Sequence, residues 1–216
     1  MGARFCYLVR THRRDREGWE TCGVTLDALP VTACWRHVGA RTGFEVAFFE
    51  PTPTGWRIKG TTAALQDGHT SVVTYRVELD SEWRTRLARI TTTLARGSWE
   101  LALDSDGEGS WTVNGVAASH LDGCFDVDLE LSAVTNALPV HRQPLRVGQR
   151  MAAPAAYVRA VPGPVERLEQ LYERVKSSDG LSAYEYAAPS FDFSCQLIYD
   201  THGLVVDYPG IAVRAG

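Results

Sequence analysis

Period-two alternation of apolar and polar residues recurs through most of the chain, and such a pattern folds as strands that each turn one face to a core. Val73, Tyr75, Val77 and Leu79 share one face, while Thr74, Arg76, Glu78 and Asp80 share the other. Trp99, Leu101 and Leu103 repeat the pattern, the turn formers Asp104-Ser105-Asp106-Gly107 follow, and Trp111-Thr112-Val113 returns. Asn114-Gly115 is a hairpin signal, because both residues tolerate the positive φ of a two-residue turn. Phe125, Val127, Leu129 and Leu131 alternate with Asp126, Asp128 and Glu130, which predicts a half-buried strand carrying three carboxylates on its polar face. Pro162-Gly163-Pro164 followed by Val165, Leu168, Leu171, Tyr172 and Val175 at helical spacing predicts one main α-helix near 164–178, ended by Asp179-Gly180. Strands are then expected over 181–187, 191–199 and 204–208, the last two joined by the turn Asp200-Thr201-His202-Gly203. Roughly ten short strands and a single helix give a mainly β (α+β) fold, a strongly curved antiparallel sheet closed or rolled on itself.

With 216 residues, no repeat and no Pro/Gly/Ser-rich divider, a single domain over 1–216 is expected. The net charge of −4 is too mild for a polyanionic partner, so no nucleic acid is expected. The one basic run, Arg10, His12, Arg13, Arg14 and Arg16, is interrupted by Asp15 and Glu17 and reads as a solvated loop. Cys6, Cys22, Cys34, Cys124 and Cys195 form no C-x-x-C pair, which suits reduced thiols rather than a zinc or redox site. The apolar stretch 5–9 is too short for a signal-peptide core and no run is long enough to cross a bilayer, so a cytoplasmic protein with no membrane span is expected.

Asp126, Asp128 and Glu130 project from one strand face about 7 Å apart. Such a row suits an acid/base pair, a hard-cation site or a solvated sheet face, and without the spacing and glycine of a calcium loop no metal is expected. If that face is enclosed, a carboxylate needs a donor, and Arg142 is the natural partner, with Thr135 and Asn136 adding neutral hydrogen bonds to a head group or pinning a loop. Trp35, Trp83, Trp99, Tyr157, Tyr184 and Tyr186 are candidate cavity walls as well as ordinary core. His120 and His141 flank the carboxylate strand and could serve as a base beside Asp126 or Asp128. No G-x-S-x-G, H-E-x-x-H, P-loop or dinucleotide fingerprint is present, and no cofactor is expected.

The run Leu121-Asp122-Gly123-Cys124-Phe125-Asp126-Val127-Asp128-Leu129 leads into Ser132, Thr135-Asn136 and Leu138-Pro139-Val140-His141-Arg142, and the chain closes with Asp200, Gly203-Leu204-Val205 and Asp207-Tyr208-Pro209-Gly210. Together with Trp35, Gly43, Glu45, Gly60, Tyr75 and Trp83 in that order, this resembles the putative glycolipid-binding family from about residue 33 to the end. The resemblance implies a spiral β-roll or half-barrel, similar in outline to bacterial lipoprotein carriers, that holds a lipid or glycolipid. It adds Trp35, Glu45, Tyr75, Trp83, Asp207 and Tyr208 to the candidate ligand-binding residues. Where the family has paired arginines after Leu-Pro, this chain has His141-Arg142. Residues 1–32 lie outside the resemblance, as an edge strand, a pocket cover or a homodimer contact. Two further function classes stay open: an enzyme using Asp126, Asp128, His141 and Arg142 for proton transfer on a hydrophobic substrate, and an interaction protein pairing through a strand edge.

Overall fold

The computed structural model describes residues 25–216. The basic run, Cys6 and Cys22 lie outside the described residues. The alternating segments form strands β1 (Thr32–His37), β2 (Thr42–Thr52), β3 (Gly55–Gln66), β4 (His69–Asp80), β5 (Thr85–Leu94), β6 (Gly97–Ser105), β7 (Trp111–Val113) and β8 (Val116–Ala117), each antiparallel to the next. Inward side chains follow the alternation: Val73, Tyr75, Val77 and Leu79 are buried, and Thr74 and Arg76 are exposed. Asn114 and Gly115 both take positive φ in the hairpin between β7 and β8.

The chain then leaves the sheet for β9 (Asp126–Leu129), a 3-10 turn over Val134–Asn136 and helix α1 (Ala137–Arg142). It continues through β10 (Arg150–Ala152), β11 (Ala155–Val158) and β12 (Glu166–Leu168). The last strands are β13 (Leu171–Ser178), β14 (Leu181–Ala188), β15 (Phe193–Tyr199), β16 (Val205–Tyr208) and β17 (Ala212–Arg214). β17 pairs with β1, so the C-terminal meander extends the N-terminal one into a single sheet of 14 strands, with β8 at one edge and β10 at the other.

A sheet of this length must coil, because each strand twists relative to its neighbour. Its interior is not a hollow shell. β9, β11 and β12 form a separate three-stranded sheet in which β9 and β11 run parallel, and together with α1 they fill the concavity. Leu121, Val127, Leu129, Val134 and Leu138 share one core with Trp35, Phe49, Ile58 and Val77 of the outer sheet. A second core joins Val140, Tyr157 and Leu168 to Tyr172, Tyr184, Tyr186 and Tyr199.

Three expectations are corrected. β9 is not half-buried: Asp126 and Val127 are both buried, because the outer sheet covers one face and the outer C-terminal strands the other. Thr85 also ties its free edge, donating its amide to Phe125 O (2.9 Å) and accepting from Val127 N at Oγ1 (3.1 Å). The helix expected near 164–178 is strand: β12 and β13 occupy it, and Asp179-Gly180 is a two-residue hairpin turn with φ of 53° and 76° rather than a helix end. The alternation of β13 was masked by a buried charge, since Arg174 points inward beside Tyr172 and donates to Leu145 O and Ser182 Oγ. The helix that does form, α1, carries Pro139 in its first turn, where the missing N–H costs nothing.

Residues 25–31, the described end of the extension, run along the sheet: Asp27 N donates to Thr201 O and Phe49 N to Val31 O. Among the described residues no helix is long and apolar enough to cross a membrane.

Candidate functional site

Where the inner sheet fails to fill the coil completely, a cavity of about 210 Å³ remains. Its floor comes from β9 and the loop after it, with Asp128, Leu129, Glu130, Ser132 and Asn136. The walls are aromatic: Tyr157 of β11, Tyr186 of β14, Phe193 of β15, Tyr208 of β16 and Phe191 of the 3-10 turn at Pro189–Phe191. These rings contact one another, Tyr157 with Phe191 at 5.4 Å, Tyr186 with Tyr208 at 6.0 Å and Phe193 with Tyr208 at 6.1 Å between centroids. Arg41, from the turn between β1 and β2, completes the lining.

Asp128 is held by two donors, Thr135 Oγ1 on Oδ1 at 2.8 Å and Gln170 Nε2 on Oδ2 at 2.7 Å. Burial outweighs both and pushes its pKa up to about 6, with Asp126 and Glu130 adding like-charge repulsion. Burial likewise raises the phenol pKa of Tyr157, Tyr186 and Tyr208, so these hydroxyls stay protonated and offer hydrogen bonds at any ordinary pH. Arg41 is only 7% exposed. Its Nη1 donates to Glu130 O at 2.8 Å, its Nε has no acceptor, and among the described residues no carboxylate lies within 4 Å of it. Burial lowers its pKa, an effect that Glu130, Tyr157, Tyr208 and Glu45 oppose.

Of the residues singled out in the sequence, Asp128, Asn136, Tyr157, Tyr186 and Tyr208 meet around this cavity, and Thr135 orients Asp128 from behind. The others are placed elsewhere. Asp126 lies one pleat along β9, turned to Arg142, which clasps it through Nε–Oδ1 (3.1 Å) and Nη2–Oδ2 (2.7 Å). Glu45 accepts from Tyr75 Oη (2.6 Å), Ser132 Oγ (2.5 Å) and Ala133 N (2.7 Å), which fastens the outer sheet to the loop after β9. Gly60 sits opposite Tyr75 in the register and leaves room for its ring, since a Cβ there would lie 2.2 Å from Tyr75 Oη. Trp35 donates Nε1 to Val205 O at 2.8 Å beneath Arg214. Tyr184 packs edge-on against Tyr199, Trp99 is half-buried on the core-facing side of β6 opposite Thr92 with Arg96 over its ring, and Asp207 on β16 is outside the cavity lining.

His141 stacks on Trp83, with ring centroids 3.7 Å apart, and burial depresses its pKa to about 3. It is a neutral packing residue here. His120 contacts Val165 O. Of the proton-transfer set Asp126, Asp128, His141 and Arg142, the structure joins Asp126 to Arg142 by hydrogen bonds, while Asp128 is held by Thr135 and Gln170 and His141 packs on Trp83. Among the described residues no group of three or more His, Cys, Asp or Glu side chains is arranged to hold a metal ion.

Arg41, Phe191 and Phe193 were not legible as site residues. Arg41 stands in a turn, where an arginine is ordinarily solvated, and Phe191 and Phe193 open the strand expected over 191–199, where aromatics read as ordinary core. No local pattern marks any of them as a site residue; only the closing of the coil brings them to Asp128.

A family model described as putative glycolipid-binding matches residues 32–214. Among curated proteins none matches the chain. The crystal structure of a DUF1089 family protein from Pseudomonas aeruginosa is similar, with a TM-score of 0.71 and 29% identity over 84% of this chain and 95% of that one. A β-barrel-like protein of a domain of unknown function, DUF1849, from Brucella abortus aligns at a TM-score of 0.50 and 11% identity over 89% and 96% of the two chains, a likeness of fold alone.

Proposed function

The chain belongs to the putative glycolipid-binding family, and from that membership we propose that it is a binding protein for an amphiphile whose polar head enters the cavity while its hydrocarbon stays outside. The observation that carries this reading is the meeting of Asp128 with five aromatic rings in one small space. A volume of about 210 Å³ is below the roughly 300 Å³ at which pockets begin to enclose whole small ligands, so an acyl chain does not fit and a single sugar-sized ring does. Tyrosines suit such a ring, since each gives an apolar face for the carbon skeleton and a hydroxyl for its polar edge. The hydrocarbon has an apolar surface to follow at the rim, where Phe191 is 43% exposed.

Native mass spectrometry of freshly purified protein, followed by solvent extraction, tests the reading. The expected result is an amphiphile adduct that is lost in Ile211→Trp, which narrows the cavity from its partly exposed side, and weakened in Asp128→Ala. An adduct retained equally by a folded Ile211→Trp protein would overturn the placement.

A further inference from the structure

Resting on that head-group reading, the geometry points to an anionic head: we infer that Arg41 makes the cavity selective for a group bearing a carboxylate or a phosphate ester over a neutral sugar. A guanidinium taken from water needs an ionic partner to recover its hydration, and a buried charge left without one is a standing cost to the fold. Arg41 is more than nine-tenths buried, lines the cavity, and has only Nη1 engaged, by a neutral carbonyl. Arg142, buried beside the same inner strand, shows such a match in Asp126. Arg41 has no carboxylate within 4 Å among the described residues.

The two carboxylates that share the cavity do not fill the role. Both of Asp128's oxygens already accept, from Thr135 and Gln170, and Glu130 Oε2 accepts from Ala160 N at 2.6 Å. Neither forms an ion pair with the guanidinium within 4 Å, although Glu130 acts on Arg41 from farther off and opposes part of the cost of its burial. An incoming anion supplies a charge-assisted acceptor that a sugar hydroxyl does not. Asp128 adjusts to the second negative charge by taking up a proton, which its burial has made easy. Carboxylate and phosphate share this chemistry, and the probes separate them.

Isothermal titration below the critical micelle concentration would compare octyl glucoside, octyl glucuronide and octyl phosphate, matched in tail. One or both anionic probes should bind the native protein at least about tenfold more tightly than the glucoside, the scale of one charge-assisted hydrogen bond. Arg41→Gln should erase that preference, and Arg41→Lys, which keeps the charge, should retain part of it; melting curves establish that each variant is folded. Affinity for both anionic probes no higher than for the glucoside, or a preference unchanged in Arg41→Gln, overturns the anion selectivity while leaving the head-group reading in place. Binding of all three probes undiminished by Ile211→Trp, or no binding at all, overturns both.

Discussion

Removing Arg142 while leaving Asp126 tests whether the best-defined charge pair of this protein holds the fold or reads a ligand. The two side chains are 13% and 2% exposed, and Arg142 supplies both hydrogen bonds that the Asp126 carboxylate receives. Burial already raises the pKa of Asp126, and the arginine opposes that rise. Arg142→Met keeps the length of the side chain and removes the charge, so the carboxyl is stranded in the core. The loss expected for breaking a buried pair from one side is about 3–5 kcal/mol, which for a chain of this size lowers the melting temperature by roughly 6–20 °C. Without its partner Asp126 protonates more readily in the folded state than in the unfolded one. The variant is therefore least impaired at low pH and loses stability as pH rises from the unfolded value through the raised folded one. Asp126→Leu combined with Arg142→Met should recover most of the loss, since a well-packed apolar pair replaces a buried ion pair at little cost. Urea unfolding at pH 5 and pH 7, with unchanged slope, provides the measurement. A single variant within about 1 kcal/mol of the native protein would refute the assignment of the pair to the core.

Asp128→Asn tests the raised carboxyl at the cavity. A folded-state pKa of about 6 against the ordinary 3.8 means that the native protein loses stability as pH rises between those values, by at most about 3 kcal/mol at ~1.4 kcal/mol per pH unit, reduced where the carboxylate borders the open cavity. The variant, in which Thr135 can turn its hydroxyl to accept, should lack this slope and melt higher at pH 7; an identical pH profile would count against it. Gly60→Ala should cost roughly 2–4 kcal/mol by overpacking and by breaking a buried hydrogen bond, because its Cβ displaces Tyr75 from Glu45. A change below about 1 kcal/mol in urea unfolding would show that the ring yields without that loss.

The alternation of Val73 to Leu79, the hairpin at Asn114-Gly115, the C-terminal meander and the pairing of Arg142 with a carboxylate of 126–130 were all written locally, because strand period, turn φ and the need to neutralise a buried charge depend on near neighbours. The stretch 164–178 shows where that logic fails. Leu168, Tyr172 and Val175 fit a helical period, and only pairing with Leu181–Ala188 through Asp179-Gly180 settles it as strand. The same limit applies to the site. Alternation tells which residues share a face but not what will cover it, and β9 is buried on both sides because strands distant in sequence coil around it. Arg41 and Phe191, 150 positions apart in the chain by their residue numbers, become neighbours of one cavity only when that long sheet closes over its own inner strands.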